Sequence, residues 1–333
     1  MRENRTPGSV WGVPGNRHSY HDGDGEYMEK IIDLHAHLGD CFYPGGSQLI
    51  DQQGVKTRYI FDIIGIAEKY YRNNTIKSGK IGYKLNKPLI ASALRKRNQT
   101  ATLENWRQSV NQAGIWRSVC VACEPFTSFA DLQLAAKKEE RIIPFTSVDF
   151  EQKDSFEEKL SNDVKSGARG LKLHPILQRT RLNSEKVYNA IEAFASHDFP
   201  VNFHCGVLSI YSKKDFLRKT EHPEYGSVSD AAQMVKSFPN VKFLATHAGI
   251  FEFSKFIDLF GGFKNVWVDG TTQPTSHIRK LIKIFGPDRV VFASDWPYGD
   301  RCIMLELTKN ACDGDHSLER RVLCDNASEL LKL

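Results

Sequence analysis

Eight short apolar runs, separated by stretches of helical spacing, limit the fold of this chain more than any other feature. The first run ends in "IIDLHAH", residues 31–37. The later runs are continuous in apolar residues and lack the polar alternation of half-exposed strands, so we expect strands that are buried on both faces. They cover residues 117–123, 141–148, 168–174, 199–206, 241–249, 265–270 and 289–297.

The stretches between these runs predict helices. Phe156, Leu160 and Val164 recur every four residues, and this repeat stops at Gly167. The segment "SHIRKLIKIFG", 276–286, ends in glycine before a proline, which is a typical helix stop. Eight strands connected through helices close most simply into a (β/α)₈ TIM barrel. A doubly wound open sheet is the alternative, but no glycine-rich phosphate loop follows any run.

Two segments do not follow the barrel pattern. Residues 38–112 are far longer than an ordinary strand-to-helix loop, so we expect a cap-like helical insertion there. Residues 1–27 are rich in Gly, Pro and charge and lack the apolar stretch of a signal peptide. We interpret them as a flexible leader that precedes a single TIM-barrel domain at residues 28–333.

Positive charge is concentrated in one part of the chain. The 333 residues carry a net charge of +5, yet residues 54–98 hold far more Lys and Arg than acids. Such a segment either attracts anionic partners or forms the solvated face of a helix. No nucleic-acid-binding motif accompanies it, and no apolar run reaches the ~18 residues of a membrane span. We therefore expect neither nucleic-acid binding nor membrane insertion.

The seven cysteines are odd in number and scattered, which is typical of a protein in the reducing cytoplasm. Cys120 and Cys123 form a C-x-x-C pair inside an apolar run, without a second pair elsewhere. We interpret them as buried thiols rather than as a zinc or redox site.

Reactive side chains fall where the predicted strands end. In a barrel these ends meet at one rim, where the chemistry takes place. Imidazole nitrogens and carboxylate oxygens together suit Zn²⁺ and neighbouring divalent ions. Asp33, two residues before His35, is expected one layer deeper in the barrel. The strand-end residues are His35, His37, Lys172, His174, His204, His247 and Asp295.

This pattern resembles the amidohydrolase superfamily of metal-dependent barrels. It is most similar to the amidohydrolase-related group that includes the aminocarboxymuconate-semialdehyde decarboxylases, over roughly residues 28–333. The resemblance implies that one metal, Zn²⁺ first among the candidates, is held by His35, His37, His204 and Asp295. It also implies that His247 stands beside the bound water or holds a second metal. Asp295 would then act as general base and afterwards as acid.

The fourth strand leaves alternatives open. In binuclear members of the superfamily a lysine on this strand is carbamylated and bridges two metals, and Lys172 stands where that could happen. Lys172 could equally bind a substrate carboxylate or be structural. His174 is expected to contact the substrate or a ligand, or only to pack. Loop eight carries three more residues that either line the substrate pocket or pack within the loop, namely Trp296, Tyr298 and Arg301.

Three functions follow from this interpretation. The leading one is a metal-dependent hydrolase, in which metal-activated water attacks a C–N or C–O acyl bond of a small, anionic substrate. The alternative is a non-oxidative decarboxylase of a small carboxylic acid that uses a similar site. The third is a barrel that binds a metal or an anion without turnover. A homodimer is compatible with each of them.

Overall fold

The computed structural model describes residues 30–55, 62–72, 80–152 and 155–333. The strands form one eight-stranded parallel sheet, and each pairs with the next along the chain. Beyond the last strand, Asp295 N donates to His35 O at 2.8 Å, which links the end of the sheet to its first strand. The predicted (β/α)₈ barrel is confirmed. The strands are β1 (Ile32–Ala36), β2 (Arg117–Val121), β3 (Ile142–Ser147), β4 (Leu171–Leu173), β5 (Val201–His204), β6 (Phe243–Thr246), β7 (Val266–Asp269) and β8 (Val290–Val291).

The helices follow the apolar repeats of the sequence. The repeat before Gly167 forms a helix that Ser155 caps through its side chain. The segment with the glycine–proline stop forms a helix that ends before Gly286, whose φ is 84°. The helices are α1 (Ile63–Arg72), α2 (Lys80–Asn98), α3 (Leu103–Ala113), α4 (Phe129–Lys138), α5 (Phe156–Lys165), α6 (Glu185–Ala195), α7 (Val228–Ser237), α8 (Phe253–Phe260), α9 (Thr275–Phe285), α10 (Arg301–Ala311), α11 (His316–Arg320) and α12 (Asn326–Leu331).

The eighth strand is much shorter than the run at residues 289–297 suggested. Regular pairing stops at Val291, and the chain then continues along β1 through single backbone hydrogen bonds. Asp295 adopts a left-handed backbone with φ of 59°, which an extended strand cannot contain. The predicted catalytic acid therefore lies in the loop after β8.

Between β1 and β2, the described residues 37–55, 62–72 and 80–116 contain three α-helices. Helix α3 packs against α10 on the outside of the barrel, as an ordinary barrel helix does. Helices α1 and α2, here called the cap helices, contribute residues to the pocket above the rim. The covering segment is thus narrower than residues 38–112, because α3 belongs to the barrel.

Some sequence predictions lie outside the described residues. They include the leader at residues 1–27 and, in the basic segment, Lys56, Arg58 and Lys77. Among the helices that the structure describes, none combines the length and apolarity that crossing a bilayer requires.

Candidate metal centre

The carboxylate of Asp295 faces three imidazoles at the rim. Its Oδ1 lies 3.2 Å from His37 Nε2 and 3.7 Å from His35 Nδ1, and its Oδ2 lies 4.0 Å from His247 Nδ1. One donor atom from each of His35, His247 and Asp295 lies within 4.8 Å of the other two. These residues are distant in sequence but meet because the carboxyl ends of parallel strands share one rim.

Unusual backbone conformations aim two of these side chains. His247 has a φ of 69° and Asp295 a φ of 59°, values that cost a non-glycine residue roughly 1–3 kcal/mol. Asp269 Oδ1 accepts the backbone N–H of His247 at 2.9 Å, and the carbonyl of His35 accepts that of Asp295. Backbone strain of this kind persists where the surrounding structure enforces it, as it often does at ligand sites.

Two buried polar atoms at this centre fit a cation. His35 Nδ1 and Asp269 Oδ2 are 4.0 Å apart, and neither has a hydrogen-bond partner among the described residues. An unsatisfied buried polar atom costs roughly 1–3 kcal/mol. Burial also holds the pKa of His35 and of His247 well below the usual range, which favours the neutral imidazole that binds metals. The nitrogen and oxygen donors present therefore suit a divalent ion.

His204 stands beside this group with a different orientation. Its ring lies 4.9 Å from that of His247 and stacks at 4.3 Å on His174. Its Nε2 donates to the carbonyl of Gly206 at 3.0 Å, and burial lowers its pKa to about 3. His204 can therefore offer a lone pair from Nδ1, or from Nε2 after that hydrogen bond breaks.

Lys172 lies beneath the rim. Its Nζ is 3.0 Å from His35 Nε2 and 2.8 Å from Asn202 Oδ1, and the residue is fully buried. Burial lowers the pKa of this amine to about 8. Its nearest neighbour at the centre is thus His35, and Lys172 is not among the residues that line the pocket.

Three residues that hold His247 were missed in the sequence. The hydroxyl of Thr271 donates to Asp269 Oδ1 at 2.7 Å and therefore accepts from His247 Nδ1, also at 2.7 Å. This leaves the lone pair on His247 Nε2. Gln273 donates to the His247 carbonyl at 2.9 Å. Asp269 ends β7 just as the other reactive residues end their strands, so its position in the sequence could have identified it. Burial raises its pKa to about 6.

A cavity of about 330 Å³ rises above these groups. Its floor holds the rim histidines, including His174, together with Asp295, and Tyr298 forms part of its wall. The cap helices supply an apolar cover, which includes Ile64 and Tyr71. No Lys or Arg whose side chain the structure describes lines this cavity.

Two predicted pocket residues lie elsewhere. Arg301 is fully buried, and its Nε donates to Asp33 Oδ2 at 2.9 Å. Its guanidinium also lies 4.9 Å from the centre of the Trp296 ring. Both residues line a separate cavity, together with residues of α3. Trp296 therefore packs within the loop, whereas Arg301 is the first residue of α10 and pairs with Asp33; neither is among the residues that line the pocket above the rim.

Comparisons with known proteins agree with the fold. The amidohydrolase family model Amidohydro_2 matches residues 32–333. The chain is 15% identical to 2,6-dihydroxybenzoate decarboxylase from Rhizobium, with a TM-score of 0.60 over 92% of this chain and 99% of that one. No curated protein matches the sequence significantly.

Two further solved structures are similar at comparable levels. One is 5-carboxyvanillate decarboxylase from Novosphingobium aromaticivorans, complexed with manganese and 4-hydroxy-3-methoxy-5-nitrobenzoic acid. It is 16% identical, with a TM-score of 0.58 over 92% of this chain and 97% of that one. The other is a probable 2-pyrone-4,6-dicarboxylic acid hydrolase from Acinetobacter baumannii with citric acid bound. It is 14% identical, with a TM-score of 0.56 over 91% of this chain and all of the other.

Proposed function

The chain belongs to the amidohydrolase family, and from that premise we propose that it is a metal-dependent hydrolase of a small organic molecule. The position of Asp295 among three imidazoles, at the base of an apolar pocket, supports this function most directly. A carboxylate placed there can take a proton from water at one oxygen and return it to a leaving group.

The proposed ligands of the metal are His35, His37, His204 and Asp295, with Zn²⁺ as the first candidate. A divalent ion at this place would lower the pKa of a water molecule and polarise a carbonyl group. The side chains of this protein add orientation and proton transfer. Thr271 fixes the ring of His247 toward the pocket, and the cap helices limit the access of bulk water to the floor.

The pocket supports a substrate with an apolar or aromatic body. A volume of about 330 Å³ under an apolar cover suits a small molecule. We propose that a single carbonyl or carboxylate group of the substrate points at the rim, where the cation and the imidazoles would meet it. The contact between Lys172 and His35 favours a role for Lys172 beside the metal, including a carbamylated bridge, over direct contact with the substrate.

Non-oxidative decarboxylation is the second candidate, and the apolar lining favours it. When a carboxylate loses CO₂, its charge is dispersed onto the remaining carbon, and an environment poor in water facilitates this step. The carbon then takes a proton, which Asp295 is placed to supply. Both reactions would use the same rim residues.

A substrate panel separates the candidates. The purified protein, loaded with Zn²⁺ or Mn²⁺, is offered aryl esters, lactones, amides and hydroxybenzoic acids. Release of acid without CO₂ supports hydrolysis, whereas CO₂ in proportion to substrate consumed overturns hydrolysis and establishes decarboxylation. If the metal is bound and no substrate class reacts, the non-catalytic barrel is the better description.

Metal content and intact mass test the number of metals. One metal without an adduct supports a mononuclear site, whereas two metals with an added mass of ~44 Da support a carbamylated Lys172. Substitution of both His35 and His37 by Ala is expected to remove the bound metal, as measured by elemental analysis.

We also propose a cytoplasmic location, supported by seven cysteines that are all free thiols. We further propose a homodimer, and sedimentation of the purified protein tests it.

A further inference from the structure

Two thiols lie against the side of His37 that faces away from Asp295. His37 directs Nε2 toward Asp295, while its Nδ1 lies 3.5 Å from Cys41 Sγ and 3.5 Å from Cys123 Sγ. The donor atoms of His37, Cys41 and Cys123 all lie within 4.8 Å of one another, and all three residues are buried. Cys41 follows β1 and Cys123 follows β2, so two neighbouring strands bring the thiols together.

This pairing differs from the one that the C-x-x-C motif suggests. Cys120 points into the apolar core between the barrel and its helices, together with Trp106 and Leu132. Cys123 instead lies past the end of β2, where it meets Cys41 and His37. Cys123 therefore lies beside Cys41, which the barrel brings near it, and not beside Cys120, its partner in the motif.

The distances match a tetrahedral metal site. With Zn–S bonds of about 2.3 Å and Zn–N bonds of about 2.0–2.1 Å, the nitrogen–sulfur edge of a tetrahedron is about 3.6 Å. Both nitrogen–sulfur distances here are 3.5 Å. Thr127 Oγ1 lies 3.8 Å from Cys41 Sγ and accepts the backbone N–H of Cys123 at 3.1 Å. The Thr127 hydroxyl thus stands beside the Cys41 sulfur and holds the backbone of Cys123.

We propose that Cys41, Cys123 and Nδ1 of His37 form a second cation site, selective for thiophilic d¹⁰ ions such as Zn²⁺, Cd²⁺ or Cu⁺. Two sulfurs and one nitrogen are a soft donor set, whereas the centre around Asp295 offers only nitrogen and oxygen. Binding of a divalent ion releases the two thiol protons. The lone pair of Nδ1 is then used, and the remaining ring proton stays on Nε2, toward Asp295.

One consequence follows for the Asp295 centre. The imidazole of His37, protonated on Nε2, no longer offers a lone pair to a metal beside Asp295. A soft ion at the thiol site therefore competes with occupation of that centre, although the two sites use different nitrogens of the ring.

Cadmium titration tests the site independently of turnover. Metal-free protein, kept reduced with a phosphine, is titrated with Cd²⁺ while thiolate-to-cadmium charge transfer is followed in the ultraviolet. The wild-type protein is expected to develop the band at one equivalent, with sulfur neighbours in the X-ray absorption spectrum of cadmium. A Cys41→Ala, Cys123→Ala double variant is expected to lose both signals. Cys120→Ala is the matched control, because it breaks the C-x-x-C motif and leaves the proposed donors intact, so it must retain both.

Three outcomes overturn the site: cadmium that binds to wild-type protein without a sulfur signal, a band that persists in the double variant, or a band lost in Cys120→Ala. Circular dichroism checks that each variant folds. If the double variant does not fold, Cys41→Ser and Cys123→Ser are titrated singly. A weaker band in each then supports the site, whereas an unchanged band in either refutes it.

Discussion

Within the part of the chain that the structure describes, some buried polar atoms at the rim of the barrel lack partners, whereas a buried charge in the cap helices above it is paired. At the rim, His35 Nδ1 and Asp269 Oδ2 are buried without a hydrogen-bond partner among the described residues. In the cap, the guanidinium of Arg97 contacts Glu68 at 3.0 Å and Asp62 at 2.8 Å, and it donates to the carbonyl of Tyr298 at 2.7 Å. Unsatisfied atoms at the rim are suited to a ligand, whereas the satisfied charges of the cap hold two segments together.

This difference changes the interpretation of the basic segment. Within residues 54–98, Arg97 lies inside the protein, and Arg95 approaches Asp215 at 3.5 Å. At least these two cations serve internal contacts. Arg97 is therefore not available to an anionic partner, although the sequence counts it within the basic segment.

The largest expected effect is on the rim. Asp295→Asn keeps the size of the side chain but removes its ability to carry a proton, so turnover should fall about 10²–10⁴-fold. The melting temperature should stay close to that of the wild type. Product release and thermal unfolding, measured on the same preparation, check both parts. Near-wild-type turnover would refute the catalytic role of Asp295.

A substitution in the cap should reduce the stability of the fold, in contrast to Asp295→Asn. Arg97→Met leaves Glu68 buried without its cation, which should lower the free energy of unfolding by about 3–5 kcal/mol. The Arg97→Met, Glu68→Gln double variant is the control, and it should recover part of the loss. Urea denaturation measures both variants. An unchanged midpoint for Arg97→Met would contradict a structural role of this ion pair.

Glu124, in the loop after β2, offers a test through pH. Burial raises its pKa from 4.5 to about 7, while Lys159 at 3.6 Å opposes the shift. The folded state therefore binds a proton more tightly than the unfolded state, and ionisation lowers stability as the pH rises from about 4.5 to 7. Glu124→Gln should thus be more stable than wild type above pH 7, by up to about 3 kcal/mol.

The advantage of Glu124→Gln should vanish below pH 4.5, where the carboxyl is protonated in both states. Melting temperatures of the two proteins across this pH range provide the measurement. A constant difference at all pH values would show that Glu124 does not titrate in this way.

The smallest expected effect concerns the support of His247. Thr271→Val removes the hydroxyl that fixes the ring, while Asp269 and Gln273 still hold the backbone of His247. We expect turnover to fall about tenfold. This is the low end of the range for residues that orient a metal-binding side chain. Thr271→Ser, which keeps the hydroxyl, should behave like the wild type. If the serine variant loses as much activity as the valine variant, packing rather than the hydrogen bond matters.

The sequence predicted those features of the site that follow from the position of a residue along its own strand. Alternation placed His35 and His37 on one face, and the rule for strand ends placed His247 and Asp295 at the same rim. The same rule also applies to Asp269 at the end of β7. This residue was missed because its strand carries no histidine motif. The position of Arg301 in the sequence left open whether it lines the pocket or packs beside it, and in the structure its charge pairs with Asp33.

The sequence alone determined the eight-stranded barrel and which reactive side chains stand at the strand ends, because both follow from backbone geometry repeated over a few residues. Only the tertiary structure decided which side chains meet behind that rim. The contact of His37 with Cys123 joins residues 86 positions apart, and that of Asp33 with Arg301 joins residues 268 positions apart. Periodicity contains no information about such distances, which are set when the barrel closes.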